Sequence, residues 1–229
     1  MTNGTRATLD RKIREHLDDI LVLGSMVEQA ITGSVQVLID RDLTAAQEIY
    51  DRDIEINNKR YEIEQKTLTT VATQQPMARD LRILSSILDI AGELERIGDY
   101  AKGIARITIR LGDDPPLRPI GHIPKMAELT SDMLHRAVGA FVELEEQTAR
   151  SIPKEDDQVD DLYNAVYREL LDIMLEDRDT VDRATFHLWV AHNLERAADR
   201  VTNICERTIF TITGDLVEFD RSDDEEEKF

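Results

Sequence analysis

One phrase occurs twice in this chain, one hundred residues apart. Leu94-Glu95-Arg96-Ile97-Gly98-Asp99 returns as Leu194-Glu195-Arg196-Ala197-Ala198-Asp199, and the likeness runs on to Ile104 and Ile204. A repeat at that distance in 229 residues makes the chain two copies of one unit. Each copy sets a Glu and an Asp four residues apart, which on a helix is one turn and one face. Duplicated acids on one face of an otherwise apolar helix point to two equivalent cation sites.

The apolar residues around the phrase keep helical time. Ile83, Ile87, Ile90, Leu94, Ile97, Ala101 and Ile104 alternate steps of four and three, and His187, Val190, Leu194, Ala197, Val201 and Ile204 repeat that frame. Ile13, Leu17, Ile20, Gly24, Val27, Ile31, Val35 and Leu38 form another such seam near the start. The prolines, at 76, 115, 116, 119, 124 and 153, fall where helices would end or begin. These signals predict six helices, about 9–41, 44–72, 77–112, 122–150, 154–177 and 180–213. The fold class is all-α: two tandem three-helix bundles, residues 9–112 and 122–213, followed by an acidic tail, 214–229. Few aromatics (5%) and many charges (33%) agree with helices packed on Leu, Ile, Val and Ala.

Charge narrows the partners. A formal net charge of −19 argues against nucleic acid and against unaided docking on an anionic membrane. The segment Asp215 to Phe229 carries −6 of it, with eight carboxylates against Arg221 and Lys228, and reads as a frayed, solvating tail. Cys205 is the single cysteine, so no intramolecular disulfide forms. No signal peptide is apparent and no apolar run is expected to reach the ~20 residues of a spanning helix, which predicts a soluble, cytoplasmic protein without membrane insertion.

The second helix of each half carries its own polar pair: Asp53 with Asn57, and Asp156 with Asp160. Asp53 leads Ile56 and Ile63 on an apolar stripe, and Asp156 leads Val159, Tyr163, Val166, Leu170 and Ile173. In an antiparallel helix pair, residues equidistant from the turn lie at one height. Asp53 with Asp99, and Asn57 with Glu95, are both centred on Pro76. Asp156 with Asp199, and Asp160 with Glu195, are both centred between Asp177 and Arg178, in the most polar stretch separating those helices. Both halves thus bring two polar pairs face to face. Carboxylates gathered at one level repel one another and lose hydration, at a cost of several kcal/mol. Either Arg96, Arg196 and neighbouring bases neutralise them, or a cation does, and oxygen donors suit Mg, Ca, Mn or iron. Asn57 leaves the first site weaker in charge than the second.

Other residues point less sharply. His192 lies three residues before Glu195 and fits an exposed histidine paired with that acid. His187 fits a hydrogen-bonded core residue, Cys205 a small buried one, and Trp189 and Phe186 packing residues. Ala78 to Arg82 opens the third helix as a solvated first turn in which Asp80 suits the positive end of the dipole. The chain lacks the Glu-x-x-His pair of ferritin-like di-iron helices, a phosphate-binding glycine loop and a Gly-x-Ser-x-Gly elbow.

The tandem three-helix units, the run Ala78 to Arg82 and the two Leu-Glu-Arg-x-x-Asp phrases resemble the PhoU family of phosphate-uptake and phosphate-signalling regulators, over about residues 9–213. The resemblance implies a non-enzymatic all-α protein that binds multinuclear metal clusters, iron or zinc, with manganese, magnesium, calcium and nickel as alternatives. It implies Asp53, Glu95 and Asp99 as ligands in the first half, and Asp156, Asp160, Glu195 and Asp199 in the second. It further implies partnership with the Pst phosphate transporter and a phosphate-sensing histidine kinase, repression of the starvation response when phosphate is plentiful, and a homodimer. Where the family phrase commonly continues Asp-His-Ala-x-Asn-Ile, this chain has Asp99-Tyr100-Ala101-Lys102-Gly103-Ile104 and Asp199-Arg200-Val201-Thr202-Asn203-Ile204. Two other function classes fit the residues: a metal-dependent enzyme built in a helical bundle, and a metal-free helical scaffold whose acids pair with arginines.

Overall fold

The computed structural model describes residues 3–115, 117 and 121–219. Helices α1 (Asn3–Asp40), α2 (Leu43–Gln74) and α3 (Arg79–Leu111) make the first half. Helices α4 (His122–Glu143), α5 (Glu146–Ser151), α6 (Asp156–Glu176) and α7 (Val181–Thr213), with 3-10 turns at Ile152–Glu155 and Arg178–Thr180, make the second. Among the described residues there is no strand. The seams are the core. Ile83, Ile87, Ile90, Leu94, Ile97, Ala101 and Ile104 are buried, as are Val190, Leu194, Ala197, Val201 and Ile204.

The predicted fourth helix, 122–150, is two helices. Leu144 takes a left-handed conformation (φ 56°) and Glu145 an extended one (φ −92°, ψ 93°), which ends α4. The Glu145 N–H donates to Ala140 O at 2.8 Å and the Leu144 N–H to Phe141 O at 3.3 Å, the paired bonds of a Schellman closure. Glycine usually marks that closure. A leucine there is invisible to a pattern of turn residues. The break turns the chain so that Ala149 and Ile152, both fully buried, enter the core.

In each half the outer helix, α2 or α6, lies against two inner ones, and the halves meet through α3 on α7 and α1 on α4. Asp89 pairs with Arg207 (3.4 Å), the Asn203 amide donates to Glu93 (3.1 Å), and the Thr211 hydroxyl donates to Ser86 (2.7 Å). These pairs run antiparallel and are centred near position 148. Since the copies are one hundred residues apart, that register sets position 98 against position 198 and relates the halves by a pseudo-two-fold. Gly98 and Ala198, both small and buried, occupy those positions. One hydrophobic core crosses between the halves without a break.

Two expectations are corrected. α1 does contain an 18-residue window of mean hydropathy 1.3, long and apolar enough to cross a membrane by composition. Here its apolar face is turned inward: Leu9, Ile13, Ile20, Leu23, Val27, Ile31 and Val35 are buried in the bundle. The start of the tail is also docked rather than frayed. Val217 and Phe219 pack on the core, and the Phe219 N–H donates to Glu206 at 2.9 Å. Residues 220–229, which carry most of the tail's charge, lie outside the described residues.

Close approach of α1 to α4 rests on Gly24, where a Cβ would stand 3.2 Å from both Val138 γ-methyls. By contrast, a Cβ at Gly92 would meet nothing within 4 Å. Opposite outcomes are expected in denaturant unfolding. Gly24→Leu destabilises by about 1–3 kcal/mol through overpacking, despite leucine's better helix propensity. Gly92→Ala stabilises by roughly 0.5–1 kcal/mol. A stabilising Gly24→Leu would show that the helices are not held this closely.

Candidate metal centre

The hairpin registers are those that the spacing predicts. Tyr163 and His192, equidistant from the α6–α7 turn, face each other with ring centroids 6.3 Å apart. Tyr50 and Lys102, equidistant from Pro76, also meet, with Lys102 Nζ 5.2 Å from the ring centroid. Each half therefore brings its polar pairs to one level between outer and inner helix.

In the second half the local chain delivers Asp156. Pro153 sits in the 3-10 turn Ile152–Glu155, Ile152 anchors that turn in the core, and Arg136 grips Glu155 with two bonds of 2.9 and 2.5 Å. Asp156 then opens α6, partly buried, with Asp160 one turn along and Glu195 and Asp199 on α7 beside it. Burial pushes the Asp156 carboxyl up to about 7, reinforced by the charges of Asp160, Asp199 and Glu195. A helix N-terminus ordinarily favours an anion by 0.3–1 kcal/mol, so here desolvation and repulsion outweigh the dipole. Asp156 Oδ1 is buried with no hydrogen-bond partner. His192 Nδ1 is 3.3 Å from Glu195 and the ring is half exposed, as the sequence predicts. Arg196 is 3.9 Å from Asp199, and its pKa is raised by neighbouring Tyr100 across the interface and by Asp199 and Glu195.

The first half resolves the same crowding differently. Asp53 is 4% exposed, and its Oδ2 accepts from Lys102 Nζ at 2.6 Å and from Asn57 Nδ2 at 2.9 Å. Asp53 Oδ1 is buried without a partner. Glu95 and Asp99 are both held above the usual carboxylate range, chiefly by burial, and then by each other's charge for Glu95 and by Asp53 for Asp99. Lys102, not Arg96, supplies the neutralising contact, and the sequence reading missed it. The signal was available: Lys102 lies one turn beyond Asp99, on the helix face that meets α2 one turn from Asp53.

Among the described residues, no three His, Cys, Asp or Glu side chains stand close enough together to hold an ion as they are. The second-half donors nonetheless suit a hard cation: four carboxylates at one level, one with a buried oxygen lacking a hydrogen and no lysine against Asp156. Asp156, Asp160, Glu195 and Asp199 would hold it after side-chain rotation. In the first half Asp53 likewise keeps one buried oxygen without a partner, with Lys102 on the other.

The PhoU domain model matches this chain twice, over residues 20–108 and 123–208. The chain belongs to the PhoU family. It is 36% identical to a phosphate-specific transport system accessory protein PhoU homolog of Clostridium acetobutylicum, over 93% of this chain and 98% of that one. A similarly named PhoU homolog of Rhizobium meliloti is 31% identical over 96% of this chain and 93% of its own. Crystal structures of PhoU from Streptococcus pneumoniae and Pseudomonas aeruginosa superpose with TM-scores of 0.85 and 0.84, each at 30% identity. They cover 92% and 90% of this chain, and 100% and 99% of their own. The PhoU repeat thus spans both carboxylate levels.

Remaining polar residues are structural in this PhoU chain. His187 Nδ1 lies 2.8 Å from Arg183 O, and burial lowers its pKa. His16, 3% exposed, pairs through Nε2 with Thr70 Oγ1 at 2.9 Å, a link between α1 and α2 that no spacing rule reveals. Asp80 is buried rather than solvated, gripped by Arg6 of α1 at 2.5 Å. Phe186 packs edge-on against Trp189, although Trp189 is itself exposed. The apolar crevice of about 320 Å³ lined by Leu38, Leu43, Leu111, Ile123, Arg183 and His187 lies away from both carboxylate levels.

Two measurements follow from these environments. The folded-state value of Asp156, about 7, exceeds its ordinary 3.8, so the folded chain holds that proton more tightly than the unfolded chain. Its stabilisation is complete below the lower value and is lost as the pH rises through the upper one. Metal-free protein is expected to melt at lower temperature at about pH 8 than at about pH 5, and Asp156→Asn to flatten that fall. A slope unchanged by Asp156→Asn would count against the buried, crowded carboxyl. Burial also pushes the Cys205 thiol up to about 12, so iodoacetamide should label it only on unfolding. Rapid labelling of native protein would contradict that environment.

Proposed function

We propose that this chain is a regulatory adaptor of phosphate uptake that represses the starvation response while phosphate is plentiful. It acts with the phosphate-specific transport system, through transporter subunits and a phosphate-sensing histidine kinase on the cytoplasmic side, as a homodimer. The observation that carries this reading is near-complete coverage: the relatives named as accessory proteins of that system align over 93% and 96% of the chain. A role in recognition rather than turnover also fits a molecule whose paired acids lie between bundle helices, with no nucleophile set against a base at that level.

The second carboxylate level is proposed to bind metal, iron or zinc foremost, in a multinuclear centre on Asp156, Asp160, Glu195 and Asp199. What supports it is the electrostatic crowding: a cation would offset repulsion that local bases leave in place. When bound, the metal supplies positive charge and cross-links α6 to α7.

Deleting the gene is expected to leave phosphate-responsive genes switched on at high phosphate, measured by transcript level. Normal repression in the deletion strain would sink the adaptor reading. Elemental analysis of purified protein should find metal that the double variant Glu195→Ala/Asp199→Ala loses, with a fall in Tm. If metal content and Tm are the same in both proteins, the acids belong to a metal-free scaffold.

A further inference from the structure

We infer that Lys102 is a built-in cation that occupies, in the first half, the role of the metal ion proposed for the second, so that each chain carries one metal centre rather than two. This rests on the proposed metal binding at Asp156, Asp160, Glu195 and Asp199.

The argument comes from comparing equivalent positions. Lys102 of the first copy corresponds to Thr202 of the second, and Asn57 to Asp160. Both differences move charge in one direction. The second level holds four carboxylates, with Arg196 no nearer than 3.9 Å to Asp199; the first holds three, with an ammonium 2.6 Å from Asp53. The side chains also behave differently. Thr202 turns its hydroxyl back to Asp199 O at 2.7 Å and adds no charge to its level. Lys102 reaches across from α3 to α2 and ends 2.6 Å from the deeply buried Asp53. The Tyr50 ring lies beneath its ammonium at 5.2 Å, a cation–π contact that holds it in place. Asn57 donates to the same Asp53 oxygen at 2.9 Å and to the Asp53 carbonyl at 3.2 Å. One oxygen of Asp53 therefore already accepts two hydrogens. The other oxygen is buried without a partner, so a divalent ion reaching it would lie beside the lysine's positive charge. Glu95 and Asp99 alone offer only one helix turn of donors, too few for a closed oxygen shell.

Equilibrium dialysis of metal-free protein against zinc, followed by elemental analysis, tests this. Asp199→Ala is expected to remove the bound zinc and Asp99→Ala to leave it unchanged. Lys102→Thr/Asn57→Asp, which gives the first level the residues of the second, is expected to raise zinc content to roughly twice the wild-type value, with the increment lost on adding Asp99→Ala. Zinc lost equally in Asp99→Ala and Asp199→Ala would overturn the inference and leave the metal reading standing. So would a folded Lys102→Thr/Asn57→Asp protein with no added zinc. The Asp99→Ala comparison decides the matter even where the double variant fails to fold. If wild-type protein binds no zinc, the metal reading of the second half fails instead; zinc taken up by Lys102→Thr/Asn57→Asp would still support the lysine's role, and none would overturn it.

Discussion

The packing of α3 against α7 is the constraint on which the rest of the molecule depends. Both helices carry the repeated phrase, and both turn their strict 4-3 seam into the shared core. Once Leu94, Ile97 and Ala101, and Leu194, Ala197 and Val201, point inward, the acids at 95, 99, 195 and 199 are left on flanks. α2 covers one flank and α6 the other, so each outer helix must bring its own polar pair to the level of the acids. The carboxylate levels are therefore a consequence of the interface register. Antiparallel pairing centred near position 148 makes them related by pseudo-symmetry and not merely repeated in sequence.

Symmetry of backbone does not impose symmetry of charge. Burying a carboxylate without a partner is costly, and each level has to be compensated by something. In the first half a lysine one turn from Asp99 does this through a 2.6 Å contact with Asp53. In the second half Arg196 stands 3.9 Å from Asp199 and His192 3.3 Å from Glu195, and neither contact reaches Asp156. Asp156 itself is pushed up to about 7, chiefly by burial and then by the charges of Asp160, Asp199 and Glu195.

The parts of the structure that follow from periodicity were legible in the sequence, and those that follow from a single side chain were not. The seams predict the long helices because burying an apolar stripe at 3.6-residue spacing has one solution. Hairpin heights follow from turn positions, so the Asp53–Asp99 and Asp156–Asp199 levels are legible in the spacing alone. The break at Leu144 was hidden because its left-handed closure carries leucine where glycine is usual. Lys102 and Arg6 were missed because long, flexible side chains can reach several partners, and only packing decides among them. His16 met Thr70 across α1 and α2 for the same reason: a polar pair inside a core leaves no mark on an apolar pattern. The window in α1 that passes for a membrane span was overlooked because Glu28 interrupts the apolar run, while the mean over the window stays high.

Duplication gives a protein two chances to solve one electrostatic problem, and the two solutions differ in what controls them. An internal ion pair such as Lys102–Asp53 is always present at its effective concentration, so that level is braced whatever the surroundings contain. The second level, where Asp156 is pushed up to about 7, is sensitive to pH, since protonation relieves its repulsion. In this chain the two levels are joined by one continuous core, with α6 packed on α7 and α7 on α3. The difference between the halves is one of charge laid on a shared backbone register: a lysine meets the buried Asp53 in one, and a partly buried Asp156 sits among like charges in the other.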